Sequence, residues 1–287
     1  MSTPPSSTAP SSAATASTPP SSAATAGRVR PAQRRPFPLV RHSLALMVRS
    51  LIKLRRTPEQ LFDVVATPVL FMAIFVYVFG GAISGSPKEY LQFVVPGLLA
   101  QMLAFVAVPI GINLNTDITK GIFDRFRALP IPRAAPLVGA VMGDIVRYST
   151  TIAVTLGFGL LVGFRITTSI WAAAAAVALA LLFALCMSWI SVWFGLIART
   201  PGAVSGILYT LIMPLTFAST IFVPASTLPG WLQGFVRANP LTHLVGALRG
   251  LLTGGAVSGP LVWTLAWCAG FVVVFVPLAL RAYRRRT

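Results

Sequence analysis

Six apolar stretches order the chain: residues 64–81, 90–113, 136–163, 171–197, 202–222 and 259–280. Each is close to the ~20 helical residues that cross the hydrocarbon core of a bilayer. The second holds no charged residue, and the third holds only Asp144 and Arg147, near its start. The pattern predicts an all-α polytopic membrane protein with six transmembrane helices.

Lys and Arg collect between alternate pairs of these stretches. The segment before the first carries Arg28, Arg30, Arg34, Arg35, Arg41, Arg49, Lys53, Arg55 and Arg56. The loop after the second carries Lys120, Arg125, Arg127 and Arg133; Arg199 follows the fourth, and Arg281, Arg284, Arg285 and Arg286 follow the sixth. The other side has only Lys88, Arg165, Arg237 and Arg249. Cytoplasmic loops are the ones enriched in Lys and Arg, so both termini are expected in the cytoplasm, and the number of spans is even.

Three segments depart from a plain spanning pattern. Over residues 39–57, Leu44, Met47, Val48, Leu51 and Ile52 recur at near-helical spacing with cations between them. That predicts a basic amphipathic helix along the inner membrane surface. Residues 115–129 offer Asn115 or Thr116 as a cap, then Ile118, Ile122, Phe126 and Leu129 on one face, with Pro130 as a stop. This reads as a short cytoplasmic amphipathic helix, either resting on the membrane or docking a partner. The external segment, residues 224–258, predicts two short helices. In the second, Asn239 caps, Pro240 opens, and Leu241, Leu244, Val245, Leu248, Leu251 and Leu252 form an apolar stripe. Their apolar stripes suggest a re-entrant element whose polar backbone is buried by protein. His243 and Arg249 fall off the stripe, as interfacial anchors or as part of a gate.

Composition adds limits. With 55% hydrophobic and 10% charged residues and a mean hydropathy of +0.79, the chain does not read as a soluble domain. The net charge of +17 flanks apolar spans and forms no basic face, so nucleic acid is not an expected partner. Residues 1–38 form a Ser/Thr/Pro/Ala tail in which STPPSS occurs twice, with little to bury, and disorder is expected there. Cys186 and Cys268 lie inside spans without metal-ligand spacing, so neither a disulfide nor a metal site is read. Asp144 and Arg147, three residues apart, can pair on one helix face and offset each other's insertion cost. The three lysines, Lys53, Lys88 and Lys120, have no phosphate-cradling glycine loop around them. No hydrolytic or metalloprotease motif stands out either. If the chain pumps, its energy comes from another subunit.

Glu59–Asp63, Asp117–Pro132 (DITKGIFDRFRALPIP), Gly143–Ser149 (GDIVRYS) and Asn239–His243 (NPLTH) resemble the permease subunits of daunorubicin/doxorubicin-resistance exporters. Those belong to the ATP-binding-cassette (ABC) type-2 exporter superfamily. The resemblance runs from about Arg41 to Arg285. It implies a non-enzymatic permease of the bacterial plasma membrane that moves a hydrophobic, antibiotic-like compound outward. It also implies a second permease copy and two copies of an ABC ATP-binding subunit. ATP and Mg belong to that partner, and no cofactor to this chain.

By the same resemblance, residues 115–129 are the coupling helix. Ile118, Ile122, Phe123 and Phe126 would enter a groove of the ATPase, around Gly121. Asp117, Lys120, Asp124, Arg125 and Arg127 would set the register. Arg49, Lys53, Arg55, Arg56 and Glu59 belong to the connecting helix. Asn239, Pro240, His243 and Arg249 belong to the external re-entrant element. Phe75, Gln101, Phe105, Asn113, Tyr209 and Phe217 are the candidates for the substrate path. A glycan, glycolipid or lipid is the alternative cargo, and a secondary transporter or membrane scaffold the alternative class.

Overall fold

The structure, a computed structural model, describes residues 58–81, 86–121 and 135–286. The tail, the connecting helix over 39–57 and residues 122–129 of the expected coupling helix lie outside the described residues. Among the described residues every regular element is helical. In chain order these are α1 (Pro58–Ala73) with a π-helical continuation (Ile74–Phe79), α2 (Pro87–Val106), α3 (Val108–Thr119), α4 (Ala135–Gly143) and α5 (Ile145–Val162). Then follow α6 (Ile170–Ile197), α7 (Pro201–Phe217), α8 (Gly230–Ala238), α9 (Pro240–Thr253) and α10 (Ser258–Arg286).

Each of the six apolar stretches lies wholly or mostly on helix. Four helical runs are long and apolar enough to cross a membrane: Pro87–Thr119, Leu137–Val162, Ile170–Ile197 and Ser258–Arg285. Val65–Phe79 and Pro201–Phe217 are shorter apolar helices. The starts are capped as the sequence allows. Ser86, Ser169, Thr200 and Asn239 each accept a backbone N–H of the turn that follows.

Three expected boundaries are corrected. The second stretch is helical beyond 90–113, from Pro87 to Thr119, and is broken at Ala107. Pro109 explains the break, because it has no N–H for the Phe105 carbonyl and its ring crowds that turn. The third stretch, 136–163, is broken at Asp144, directly after Gly143. The fifth stops at Phe217 rather than running to 222. The sequence does not explain the π-helical turn Ile74–Phe79, which carries Phe75 and Phe79.

α6 is the hub, packed against α10, α3 and α9. Lipid tails are as apolar as leucine, so helices associate in a bilayer through close packing at small residues. Here Gly111 on α3 meets Ser191 and Gly195 on α6 with backbone against backbone. A Cβ on Gly195 would lie 2.5 Å from the Gly111 carbonyl oxygen. Gly97 on α2 makes the same kind of approach to Ile221, where a Cβ would lie 2.6 Å from the carbonyl oxygen. The bundle thus has a proximal end, where α3 and α6 stop and α7 begins. At its distal end α2 begins, α5 stops, and α8 and α9 lie.

Candidate functional site

At the proximal end the residues expected to cap a new helix do something else. Asn115 is fully buried inside α3, and its carboxamide nitrogen donates to the Gly195 carbonyl at 2.9 Å and the Ala198 carbonyl at 2.8 Å. Thr116 and Thr119 bond back to carbonyls of their own helix, Ile112 and Asn115. The expected start of the coupling helix at 115 is therefore corrected: Asn115–Thr119 end α3. Asp117 and Ile118 sit in its last turn, Lys120 is its C-cap, and Gly121 turns the chain with φ 69°. A carboxamide can cap a helix from outside or close the end of a neighbouring one from inside. The buried carbonyls of α6 selected the second role. Ile122, Phe123, Asp124, Arg125, Phe126 and Arg127 lie outside the described residues, as do Arg49, Lys53, Arg55 and Arg56. Glu59 falls in the first turn of α1.

A chain of aromatic rings joins the buried Phe222 to Phe79, Tyr209 and Phe217, which are exposed. Phe75 stacks on Phe222 with centroids 4.2 Å apart, and on Phe79 at 5.4 Å. Phe222 stacks on Phe217 at 5.5 Å. Phe71 meets Phe75 at 6.2 Å and Phe105 at 6.3 Å, and Phe105 meets Tyr209 edge-on at 6.3 Å. Four of the six substrate-path candidates, Phe75, Phe105, Tyr209 and Phe217, therefore share one ring cluster joining α1, α2 and α7. Phe71, Phe79 and Phe222 belong to it and were missed, because a phenylalanine in an apolar span carries no directional signal. Tyr209 and Phe217 remain exposed, whereas Gln101 is completely buried. Asn113 is exposed and makes no ring contact, so it stands apart from the cluster.

The distal end is stitched by polar side chains. Asn239 caps α9 through Leu241 N–H and donates to the carbonyls of Leu215 and Ala218, at 2.7 and 2.8 Å. Arg249 is not an interfacial anchor reaching for headgroups. Its guanidinium lies 3.6 Å above the Phe93 ring and donates to the carbonyls of Phe93, Thr220 and Ile221. It thereby joins α9 to α2 and to the turn after α7. Tyr90 hydroxyl donates to Phe222 carbonyl at 3.1 Å. Thr167 and Thr168 hydroxyls close the last carbonyls of α9. The expected stripe is buried at Leu241, Leu244, Val245, Leu248 and Leu252. Pro240 opens α9 beneath it. His243 stacks on Trp263 at 5.6 Å, and burial lowers its pKa below the ordinary imidazole range, against the opposing pull of the Arg237 backbone.

Asp144 stands at the break between α4 and α5, with Arg147 in the first turn beyond it. Both lie within electrostatic reach of the buried Tyr148 hydroxyl. Cys186 and Cys268, free and buried, come side by side where α6 and α10 pack, a pairing that their sequence separation hides. Among the described residues no three His, Cys, Asp or Glu side chains are grouped to hold a metal ion.

Three relatives extend over most of the chain. A daunorubicin resistance ABC transporter permease protein of Streptomyces coeruleorubidus, DrrB1, is 41% identical over 85% of this chain and 86% of its own length. A probable doxorubicin resistance ABC transporter permease protein of Mycobacterium tuberculosis, DrrC, is 28% identical over 83% and 86%. An inner membrane transport permease of Escherichia coli, YadH, is 26% identical over 72% and 82%. The family model described as ABC-2 type transporter matches residues 41–253, which spans the ring cluster, the proximal clamp and the distal stitching, and the chain belongs to that family.

Proposed function

We propose that this chain is the membrane-spanning half of an ATP-driven exporter that carries a hydrophobic, drug-like compound out of the cytoplasm or inner leaflet. The observation that carries this reading is the 41% identity, over most of both chains, to a permease named for daunorubicin resistance. The ring cluster supports it. Stacked and edge-on aromatic faces suit flat or cationic cargo, and α1, α2 and α7 are mainly apolar. Six spans with both termini in the cytoplasm follow from the Lys and Arg distribution. Two permease copies and two ATP-binding subunits complete the pump.

The mechanism rests on connectivity. Residues 122–129 would sit in a groove of the ATPase, with Ile122, Phe123 and Phe126 making the apolar contact. They are covalently continuous with α3, and Asn115 clamps α3 to α6. A push on this segment therefore moves the proximal ends of two spans as one body. The break at Ala107 lets α3 tilt while α2 stays stitched to the distal end through Arg249 and Tyr90. ATP can drive such a change only by binding more tightly to one state than to the other.

Co-expression with a candidate ABC ATP-binding subunit tests the reading. Phe126→Glu or Asp124→Arg is expected to abolish association or cargo-stimulated ATP turnover while the permease still inserts in the membrane. Full association and turnover in both variants would remove the coupling role. Failure of proteoliposomes holding the wild-type complex to move daunorubicin would redirect the cargo toward lipid or glycan.

A further inference from the structure

Gln101 stands apart from every other buried carboxamide among the described residues. Asn115 and Asn239 each donate to two carbonyls. Gln101 is 0% exposed, and neither its nitrogen nor its oxygen has a hydrogen-bond partner. A buried amide without partners is costly, and more so where no water can reach it. An apolar side chain of the same length would be the more stable choice.

Its position gives the amide a use. Gly97 and Phe105, one helical turn to either side of Gln101, fix the direction of this face of α2. Gly97 abuts Ile221, and the Phe105 ring meets Tyr209 and Phe71. Gln101 therefore lies on the same stripe of α2, at a level between the ring cluster and the turn that Arg249 holds. For cargo to enter here, the contacts that close this face would have to separate in one state of an alternating permease. When they separate, the first group to appear among the rings is a carboxamide that can donate and accept at once.

We infer that Gln101 is the specificity-determining side chain of a cargo site that opens between α2 and α7. Its carboxamide hydrogen-bonds a hydroxyl or carbonyl carried on an otherwise apolar ring system, and the surrounding aromatic rings hold the ring system. This rests on the reading of the chain as an exporter of apolar compounds, and it adds the polar group by which cargo is chosen. Sites built around a hydrogen bond discriminate strongly against analogues that lack the matching group, because the protein group is then left unpaired.

The test uses the full-length permease in lipid nanodiscs and two fluorescent probes with one ring system, 1-hydroxypyrene and pyrene, with uptake by empty nanodiscs subtracted. The variant is Gln101→Met. The wild type is expected to prefer 1-hydroxypyrene. Gln101→Met is expected to lose about tenfold in affinity for it, one hydrogen bond's worth, to keep its affinity for pyrene, and to unfold at the same temperature or higher. A lower unfolding temperature would make the amide structural and overturn the inference. So would an unchanged preference between the probes. Wild type that binds neither probe above empty nanodiscs would instead sink the apolar-cargo reading, and the inference with it.

Discussion

Asn115 on α3 donates to the carbonyl of Gly195 on α6 at 2.9 Å, one turn beyond the point where Gly111 and Gly195 press the two backbones together. The same nitrogen reaches the Ala198 carbonyl, so one buried side chain closes the end of α6 from within a neighbouring helix. Asn115→Leu removes both bonds and takes the buried side-chain donor away from the Gly195 carbonyl. The expected cost is about 1–3 kcal/mol, read as a lower unfolding temperature in detergent. Co-purified ATPase should still bind this variant, because residues 122–129 are unaltered, while cargo-stimulated turnover falls.

The glycine contact beside it admits no side chain. A methyl group on Gly111 would strike the Ser191 carbonyl, and backbone atoms cannot swing aside as a flexible side chain can. Gly111→Ala is expected to destabilise by about 1–3 kcal/mol through overpacking. Gly206, on α7, has nothing within 4 Å of its missing Cβ. There alanine should be neutral, or stabilising by up to ~1 kcal/mol through helix propensity. Comparing the two unfolding temperatures separates a contact requirement from a general need for glycine in these spans.

How much of this could be read in the sequence differs by feature. The apolar helices were legible because lipid imposes a length and a hydropathy on the segments that cross it, and four helical runs meet both. So was α9, where an Asn–Pro start and a stripe of leucines specify both an end and a face. Asn115 was misread because Asn before a helical pattern signals an N-cap, and a sequence does not show that a second helix ends alongside. The break at Ala107 had a visible cause in Pro109, but a proline inside an apolar run is common in bundles and does not say whether the helix bends or stops. The ring cluster was half legible. Which phenylalanines meet depends on the π-helical turn at Ile74–Phe79, and IFVYVF carries no mark of it.

Arg249 supplies a third outcome. Its guanidinium uses a planar fork to reach Phe93, Thr220 and Ile221 and a flat face to cover the Phe93 ring. Lysine has the charge but neither the fork nor the plane. Arg249→Lys is therefore expected to loosen the turn after α7 nearly as much as Arg249→Met. Hydrogen exchange over residues 218–224 should speed up in both variants and stay slow around Asn115. If lysine restores full protection, charge alone holds the distal end.

Phe75 and Phe222 stack at 4.2 Å and 18° between ring planes, the tightest ring contact in the cluster. A double-mutant cycle with Phe75→Leu and Phe222→Leu is expected to return a coupling of about 0.5–1.5 kcal/mol, the usual worth of an aromatic pair beyond its buried area. The pair Phe183 and Phe271, edge-on at 6.0 Å between α6 and α10, is the control, since neither ring contacts the cluster. Both pairs should contribute to stability, because ring contacts do so wherever they lie. Only the first should also set which ring-bearing compounds the complex moves. Phe75→Leu and Phe222→Leu should each change the ratio of daunorubicin to pyrene transport, while Phe183→Leu changes stability and leaves that ratio alone. An equal change in all three variants would mean that the ring cluster is packing and that cargo passes elsewhere.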